Sequence, residues 1–387
     1  MALERFFKHD VNGNPTMELD WDYIDAIPEF SALEKCEQNK KWHGEGNVLQ
    51  HVRSCIDAAY KTIDAYYFYD FEKRIMLVAV LFHDIGKCCT TEFKNGTWHA
   101  YGHESVGEKI TRRILWEEQM EIRERICCCV RYHMKPLNMA DAKGSEMFKN
   151  IITPTFNRYF SWKDVLFVKR CDNLGSIPEN PNETYIGISK LNMLENFMYS
   201  LNLYNNSCTN YDMYNTFVLG KKNNWSVLKI NNPKVYVMIG LPGSGKNTWI
   251  EKQELVNNSD YVILSRDDIR AELGFCGEGE KVILSQDKEE KVSEVFDQRF
   301  IEAVANGKNV VLNNINLKKT YREAYKKLLT DNGLNYVEWI YIYIEARDIE
   351  MLLERRTMIS RSTFENMIEK FDFPQPGEYD NLCILKQ

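Results

Sequence analysis

Residues 240–248 read Gly-Leu-Pro-Gly-Ser-Gly-Lys-Asn-Thr and directly follow the apolar run Lys234-Val-Tyr-Val-Met-Ile239. The first and last glycines and the lysine have the spacing of a phosphate-binding loop between a strand and a helix. Glycines let successive backbone N–H groups point at one anion, and the lysine adds positive charge at the outer phosphates. The pattern predicts a site for ATP or another nucleoside triphosphate with Mg²⁺, formed by Gly240, Gly243, Ser244, Gly245, Lys246, Asn247 and Thr248.

The segment that contains this loop alternates short apolar strands with helical stretches. The predicted strands are 235–239, 261–264, 309–312 and 336–344. Such alternation is typical of a parallel sheet covered by helices. Residues 233–387 are therefore predicted to form an α/β P-loop domain with a parallel sheet.

The earlier part of the chain has a different pattern, because apolar residues recur at spacings of three and four without the alternation of strands. The predicted helices are 48–65, 74–82, 103–116 and 118–132. Residues 178–232 are rich in Asn, Pro, Ser and Tyr and predict a connector with one helix at 189–203. The fold class is therefore multidomain, with an all-α helical bundle at 1–180, a connector at 181–232 and the α/β domain after it.

Composition and charge exclude several classes of protein. The chain has 387 residues, of which 44% are hydrophobic and 27% charged, and no apolar run approaches the roughly 20 residues of a membrane-spanning helix. Its first residues lack the features of a secretion signal, so we expect a cytoplasmic protein without a membrane partner, whose 11 cysteines are thiols. A net charge of −7 argues against a protein that coats nucleic acid, although it allows a local basic groove.

All seven histidines lie in the first 133 residues, and most belong to short motifs at helix-length intervals. The motifs are Trp42-His-Gly-Glu-Gly-Asn-Val-Leu-Gln-His51, Phe82-His-Asp-Ile-Gly-Lys87, His99-Ala-Tyr-Gly-His-Glu104, Arg131-Tyr-His133 and Arg170-Cys-Asp-Asn173. One bundle core could gather them. Imidazoles and carboxylates are ligands for Mn, Fe, Co or Ni, and an aspartate can bridge two ions. A lone histidine is more often a core or surface residue, but the adjacent pair His83 and Asp84 favours metal binding.

Residues 40–175 resemble the HD phosphohydrolase superfamily, most closely the HD domain attached to bacterial CCA-adding enzymes, in the order of these motifs. The resemblance implies a phosphomonoesterase or cyclic phosphodiesterase that uses one or two divalent transition metals. It implies two metal positions with Asp84 between them, held by His51, His83, Asp84, His103, His133 and Asp172. It also implies that Lys87 pairs with a substrate phosphate and that His43 approaches the phosphate or the leaving group. Lys87 as a solvated helix-end cation is the alternative, and His99 matches nothing in the family pattern.

The second strand of the α/β domain ends in Leu264-Ser-Arg-Asp-Asp-Ile-Arg270. The carboxyl ends of parallel strands lie at the edge of the sheet that also holds the phosphate-binding loop. An aspartate there can accept the proton of an attacking hydroxyl, and an arginine one helical turn later can hold a phosphate. The alternative is an ordinary N-cap, in which Ser265 or Asp267 begins the next helix.

Together, these two motifs resemble the kinase domain of phage polynucleotide 5′-kinase over residues 233–375. The resemblance implies that Asp267 is the general base and that Arg270 contacts a phosphate of the acceptor end. It also implies arginines that clamp the phosphoryl groups, for which Arg355 and Arg356 are the candidates. An exposed helix face with salt bridges is the alternative for these two arginines.

Two positions on the metal side of the kinase site depart from that family. Asn247 stands where the pattern has a hydroxyl residue, and Asn314 stands where an aspartate is expected. An amide oxygen can still ligate a hard cation, but it adds no negative charge. Mg²⁺ would then be held mainly by ATP itself, and kinase activity would be weakened or altered.

The order of the two domains resembles bacterial RNA end-healing enzymes of the HD and polynucleotide kinase type. The resemblance implies that the first module removes a 2′,3′-cyclic, 2′ or 3′ phosphate and that the second phosphorylates a 5′-hydroxyl end. It implies RNA or DNA ends as partners, with a separate RNA ligase as a further candidate partner. Two alternatives stay open: a nucleotide-metabolism hydrolase joined to a small-molecule kinase, and a regulatory P-loop module that binds nucleotide without transfer.

Overall fold

The computed structural model describes residues 2–140, 144–155, 157–201, 203–204, 232–275 and 284–386. These residues form two compact units, one before residue 224 and one after residue 223. The first unit is helical and the second is built on a parallel sheet, so the predicted fold class is confirmed. Within the described residues, no helix is both long enough and apolar enough to cross a membrane.

The first unit consists mainly of α-helices. They are α1 (Trp21–Asp25), α2 (Pro28–Leu33), α3 (Val48–Thr62), α4 (Asp70–Phe82), α5 (Lys87–Thr90), α6 (His103–Ile114), α7 (Met120–Tyr132), α8 (Lys135–Ala140), α9 (Gly144–Thr155), α10 (Trp162–Gly175) and α11 (Asn182–Ser200). The unit also contains short 3-10 segments at Ala2–Phe6 and Ile63–Tyr66. Two antiparallel hairpins pair β1 (Phe7–His9) with β2 (Pro15–Leu19) and β3 (Glu92–Lys94) with β4 (Thr97–His99).

The four predicted helices correspond to α3, α4, α6 and α7, with shifted ends. Helix α4 begins earlier than predicted because Glu72 accepts a hydrogen bond from the backbone N–H of Tyr69 and caps its first turn. The two hairpins were not predicted, since strands of three to five residues are too short to show alternation. The Asn95-Gly96 turn, with φ of 52° and 78°, is the signal that could have found the second hairpin.

Helix α4 lies in the core of the first unit. Its residues 75–82 are all buried, which is the pattern of a helix covered on every side. Helices α3 and α10 also pack closely, since a Cβ atom at Gly175 would lie 2.5 Å from the Sγ atom of Cys55. The residues that directly follow α4 are therefore delivered into the interior of the bundle.

Helix α11 begins and ends earlier than the single helix predicted for the connector. Its residues Leu191, Leu194 and Met198 are fully buried and pack in one cluster with Trp162 and Leu166 of α10. This helix therefore packs within the first unit. Residues 205–231, which make up most of the predicted connector, lie outside the described residues, and the domain boundaries remain a prediction.

The second unit is a five-stranded parallel sheet with helices between its strands. The strands are β5 (Lys234–Ile239), β6 (Tyr261–Leu264), β7 (Asn309–Leu312), β8 (Glu338–Glu345) and β9 (Asn381–Lys386), in the spatial order β6-β7-β5-β8-β9. The helices are α12 (Lys246–Lys252), α13 (Arg266–Glu272), α14 (Gln286–Ala305), α15 (Lys319–Asp331), α16 (Ile349–Arg355) and α17 (Arg361–Glu369). The four predicted strands are confirmed as β5 to β8, whereas β9 was missed. Because β5, β6 and β7 are parallel neighbours, the segments after them share one edge of the sheet.

Candidate metal centre and phosphate-binding loop

The six predicted metal ligands lie together in the interior of the helical unit. They come from five different helix segments: His51 on α3, His83 and Asp84 after α4, His103 at the start of α6, His133 after α7, and Asp172 on α10. All six are buried, and none has more than 7% of its surface exposed. Gly86 allows the approach of α6, because a Cβ atom there would lie 2.0 Å from the carbonyl oxygen of His103.

Asp84 lies between two pairs of histidines. Its Oδ2 atom is 3.4 Å from Nε2 of His83 and 3.6 Å from Nε2 of His51. Its Oδ1 atom is 3.3 Å from Nε2 of His103 and 3.8 Å from Nε2 of His133. One carboxylate therefore faces two neighbouring ligand groups, as a bridging ligand would.

Asp172 completes the first of these groups. Its Oδ1 atom is 3.1 Å from Nε2 of His51 and 3.9 Å from Nε2 of His83. The ligand atoms of His51, His83 and Asp172 lie within 4.8 Å of one another, and so do those of Asp84, His103 and His133. Two groups of three or more donors are thus within reach of one ion each.

The ring orientations of three histidines fit metal ligation. Nδ1 of His83, His103 and His133 lies 2.7 Å, 2.8 Å and 2.7 Å from the backbone carbonyl oxygens of Val80, Ala100 and Val130, respectively. A carbonyl oxygen can only accept, so each Nδ1 carries a proton, and Nε2 is left to face the cluster. Metal-bound histidines are commonly oriented by such a bond from the other ring nitrogen.

The Nε2 atoms lack suitable partners within the described protein. Nε2 of His83 is buried and makes no hydrogen bond. Nε2 of His103 faces Nε2 of His133 at 3.2 Å, where two lone pairs would repel each other without a shared proton or a cation. Burial holds the pKa of His133 well below its usual range, so this ring is neutral and its Nε2 offers a lone pair. A divalent cation between these Nε2 atoms would remove the repulsion between their lone pairs. The residues therefore fit a metal ion.

Glu45 is a residue of this centre that the sequence analysis quoted but gave no role. Its Oε1 atom lies 2.7 Å from Nδ1 of His51 and 2.8 Å from Nδ1 of His43. Its Oε2 atom accepts a hydrogen bond of 2.8 Å from the backbone N–H of Ile177. Burial opposes the ionised form, but the hydrogen bonds from His43 and His51 outweigh it and hold the pKa of Glu45 well below its usual range. Glu45 therefore fixes the ring of His51, with Nε2 turned toward the cluster.

We predict that Glu45→Gln weakens metal binding about 10- to 100-fold, because a carboxylate that orients a histidine ligand typically has this effect. Calorimetric titration of the metal-free protein with Mn²⁺ measures the change. Glu37→Gln is the matched control, since Glu37 is an exposed glutamate of the same loop region. Equal affinity of Glu45→Gln and Glu37→Gln for Mn²⁺ would contradict the proposed role of Glu45.

Two lysines and a cysteine adjoin the cluster. Nζ of Lys87 lies 2.7 Å from Oδ2 of Asp84 and donates a 3.0 Å hydrogen bond to Gln38. Lys87 is thus partly buried against a ligand carboxylate, which does not fit the alternative of a solvated cation. Lys169, which the sequence analysis missed, lies 2.6 Å from Oδ2 of Asp172. The Sγ atom of Cys55 is 3.4 Å from Nε2 of His51.

The phosphate-binding loop lies between β5 and α12, as predicted. Gly243 and Gly245 have φ of 79° and 88°, a backbone conformation that residues other than glycine rarely adopt. Nζ of Lys246 donates hydrogen bonds of 2.8 Å and 2.9 Å to the carbonyl oxygens of Gly240 and Leu241. The loop therefore folds around its own lysine and keeps the ammonium group at the position where a phosphate would enter.

Burial, and after it the charge of Arg356, lowers the pKa of Lys246 to about 7. A bound triphosphate favours the charged form and raises this pKa, so binding above pH 7 requires uptake of a proton. We predict that the affinity for ATP falls about tenfold between about pH 7.5 and about pH 9. Calorimetry in buffers of different ionisation enthalpy measures both the affinity and the proton uptake. Lys246→Arg should remove the pH dependence, and a flat profile in the wild-type protein would contradict the prediction.

The predicted acceptor residues lie at the start of α13. Asp267 is 90% exposed in its side chain, and its Oδ1 atom accepts a 2.6 Å hydrogen bond from Arg270. Arg270 also donates two hydrogen bonds of 3.0 Å to the two carboxylate oxygens of Glu289 on α14. Ser265 caps the helix by accepting from the N–H of Asp268, so Asp267 is not the capping residue. Glu289 was not predicted, since nothing in its spacing links it to Arg270.

Asn313, the neighbour of Asn314, makes the side-chain contact with Asn247. Nδ2 of Asn313, not of Asn314, donates a 3.0 Å hydrogen bond to Oδ1 of Asn247. The Oδ1 atom of Asn313 is buried and has no hydrogen-bond partner within the described residues. Asn314 instead accepts a 3.0 Å hydrogen bond from the backbone N–H of Arg266 and thereby ties β7 to the start of α13.

The two arginines that are predicted to clamp the phosphoryl groups lie beside the phosphate-binding loop. Arg355 donates a 3.1 Å hydrogen bond to the carbonyl oxygen of Gly243. A Cβ atom at Gly243 would lie 3.2 Å from the Cγ atom of Arg356. Both arginines are exposed and lie at the end of α16 beside the phosphate-binding loop, so their role in clamping phosphoryl groups stays a prediction.

Comparison with known proteins agrees with this division of the chain. Residues 48–173 match the HD domain family and residues 235–374 match the AAA domain family. The putative bifunctional polynucleotide kinase/RNA ligase of Autographa californica nuclear polyhedrosis virus is 25% identical over 115 residues, which are 28% of this chain and 16% of that protein. The chain therefore spans only a small part of this curated relative.

Two solved structures also have similar regions. A chain of a Pnkp1/Rnl/Hen1 complex is 23% identical, with 40% of this chain and 46% of that chain covered and a TM-score of 0.30. A chain of a Pnkp1/Rnl/Hen1 RNA repair complex is 22% identical, with 37% and 48% covered and a TM-score of 0.31. In both cases, less than half of the other chain is covered.

An HD domain followed by a P-loop domain makes this chain a two-domain enzyme. It is of the HD-Pnk type, in which an HD hydrolase domain precedes a P-loop domain of the polynucleotide kinase kind. HD domains bind metal ions, and P-loop kinases bind a nucleotide with Mg²⁺. The buried cluster and the glycine loop are the parts of this chain that fit these two groups.

Proposed function

We propose that this protein heals broken nucleic-acid ends. The HD domain removes a 2′,3′-cyclic, 2′ or 3′ phosphate from one end, and the P-loop domain uses ATP to phosphorylate the 5′-hydroxyl of the other. The observation that carries the proposal is the placement of the buried Asp84 carboxylate between the Nε2 atoms of two pairs of histidines. The phosphate-binding loop in the second unit would bind the ATP that is used for 5′ phosphorylation.

In the HD domain, His51, His83 and Asp172 would hold one metal ion and His103 and His133 a second, and Asp84 could contribute to both. Bound metal ions would supply a water of lowered pKa and positive charge at the phosphoryl oxygens. Lys87, whose ammonium group lies against Asp84, would be available to a phosphate oxygen if a bound cation neutralised that carboxylate. His43 lies at the rim, with its ring centre 4.7 Å from that of His51, and contacts the phosphate or the leaving oxygen through Nε2.

In the P-loop domain, the backbone of residues 240–246 and the ammonium group of Lys246 hold the triphosphate. Arg355 and Arg356 extend across the outer phosphates from the end of α16. Asp267 accepts the proton of the attacking 5′-hydroxyl, and Arg270 binds the adjacent phosphate of the acceptor strand. Since Arg270 is already held by Glu289, it is oriented before the substrate arrives.

One observation favours a second candidate function for the P-loop domain. Asn247 and Asn313 bond to each other, and two amides provide no negative charge for Mg²⁺. A domain that binds nucleotide as a regulator, without phosphoryl transfer, would tolerate this arrangement. Transfer of the γ-phosphate of ATP to 5′-hydroxyl RNA decides between the two functions, and binding without transfer would support the regulator.

The deciding experiment for the whole proposal is a dual assay. The substrate is an RNA with a 5′-hydroxyl and a 2′,3′-cyclic phosphate, incubated with ATP and with Mn²⁺, Co²⁺, Ni²⁺ or Mg²⁺ in turn. We expect loss of the terminal phosphate and gain of a 5′ phosphate on the same molecules. Equal activity on a mononucleotide and on the oligonucleotide would favour the nucleotide-metabolism alternative instead.

The relatives suggest a partner for the healed ends. The names of the viral protein and of the complexes include an RNA ligase or an RNA repair assembly. We therefore propose that the products pass to a separate RNA ligase. Joining of the healed RNA by an added ligase, and its failure without prior treatment by this protein, is the expected result.

A further inference from the structure

The hairpin formed by β3 and β4 exposes aromatic rings on both of its faces. We refer to residues 91–101, which include this hairpin, as the aromatic hairpin. Phe93 pairs directly with Trp98 across the two strands, and their ring centres are 5.1 Å apart. His99 and Tyr101 stack on each other at 4.9 Å with an angle of 16° between their planes. Phe93 is 61% exposed and Tyr101 is 74% exposed, so the outer surfaces of both pairs are open.

The aromatic hairpin begins and ends at the candidate metal centre. At one end, the hydroxyl of Thr91 donates a 2.8 Å hydrogen bond to the carbonyl oxygen of Lys87. At the other end, the carbonyl oxygen of Ala100 lies 2.8 Å from Nδ1 of His103 and orients that ring. The hairpin therefore projects from between the predicted phosphate-binding lysine and a predicted metal ligand.

The position of the hairpin determines which part of a substrate can stack on the exposed rings. A phosphate that reaches the cluster carries the rest of its molecule outward, past the segments that frame the cluster. Two stacked pairs with open faces fit flat nucleobases, and stacking on an aromatic ring accepts any base. The exposed Lys94 beside Phe93 adds one positive charge for the strand. A protein partner would need a broader apolar surface than these separate rings offer.

We propose that the aromatic hairpin is a base-stacking platform for the single-stranded RNA next to the phosphate that the HD domain removes. This inference rests on the proposed function and deepens it, because it names a polynucleotide as the substrate of the HD site. Phe93 and Tyr101 are binding residues for the bases, and they take no part in the chemistry at phosphorus. His99, which matched nothing in the motif pattern, supports the ring of Tyr101 from behind.

The test compares two substrates of the metal-loaded protein. One is an RNA with a 5′ phosphate and a 3′ phosphate, which offers no acceptor to the kinase domain. The other is glycerol 2-phosphate, which has no ring. Phe93→Ala and Tyr101→Ala should each lower the ratio of kcat/KM for RNA to kcat/KM for glycerol phosphate about tenfold, mainly through KM. Tyr101→Phe keeps the ring and should keep the ratio.

The controls separate this platform from a structural effect and from the proposed function itself. Tyr67→Ala removes an exposed ring, 91% exposed, that lies past the end of α3 opposite His51, and it should leave the ratio unchanged. An equal fall of both activities in the Phe93 and Tyr101 variants, or an unchanged ratio, overturns the platform. If the wild-type protein fails to hydrolyse RNA phosphates, the proposed function fails. Binding of fluorescent RNA in EDTA then tests the platform alone, and equal affinity of wild type and both variants overturns it.

Discussion

Asp84→Ala is expected to reduce release of phosphate from a 3′-phosphorylated RNA by at least about 1,000-fold, while kinase activity changes only a few fold. Asp84 faces both histidine pairs, so its loss would remove a proposed ligand from both proposed metal positions at once. Metal ions stabilise a reacting phosphoryl group by several kcal/mol, and about 4 kcal/mol corresponds to a 1,000-fold change in rate. Malachite green detection of phosphate and elemental analysis of the bound metal measure the two consequences.

Two further variants test whether the effect of Asp84→Ala is specific to the proposed metal site. Asp57→Ala removes an exposed aspartate from α3, the helix that carries His51, and should leave both activities and the metal content unchanged. His83→Ala should reproduce the loss of phosphatase activity, because it removes a ligand whose Nε2 atom makes no hydrogen bond in the protein. If phosphatase and kinase activities fall together in these variants, the hypothesis of two separate sites is wrong.

The sequence predicted the metal centre through residues that recur at helix ends and helix faces. Helix-length intervals place such residues at neighbouring positions of a bundle, which is why the six predicted ligands are found together. Glu45 and Lys169 could not be assigned in this way. Glu45 meets His51 because backbone bonds of the loop before α3 to residues 177 and 179 set its direction, and no spacing encodes these bonds. Lys169 lies one turn before Asp172, where a solvated lysine is the usual expectation.

The P-loop domain shows which structural features a sequence motif predicts and which it does not. The alternation of apolar strands and helices predicted the sheet, because parallel strands buried on both faces are continuous apolar runs. The motif did not predict which of two neighbouring asparagines contacts Asn247, since the side chains that follow a strand point in directions that depend on the local turn. Asn313 reaches Asn247, whereas Asn314 reaches the backbone of α13. A motif aligned by letters alone could not separate these two neighbours.

Asp267→Ala is expected to reduce transfer of the γ-phosphate of ATP to 5′-hydroxyl RNA by about 1,000-fold, which lies within the range for loss of a general base. Its carboxylate is exposed at the edge of the sheet next to the loop, and Arg270 holds it in place through a 2.6 Å hydrogen bond. Because the carboxylate of Asp267 is exposed and acts on Lys246 of the loop only through its charge, the affinity for ATP should stay within a few fold. Radiolabelled transfer and calorimetry measure these two quantities.

The matched control for Asp267 is Asp331→Ala, at the exposed end of α15 in the same unit. It should leave transfer unchanged. Arg270→Ala should raise KM for the RNA acceptor more than it lowers kcat, because Arg270 is assigned to the acceptor phosphate and Asp267 to the proton. Phosphatase activity of the HD domain should persist in all three variants. If Asp267→Ala retained transfer, the acceptor side of the P-loop domain would have to lie elsewhere. If the wild-type protein bound ATP without transfer, the regulatory alternative would be supported instead.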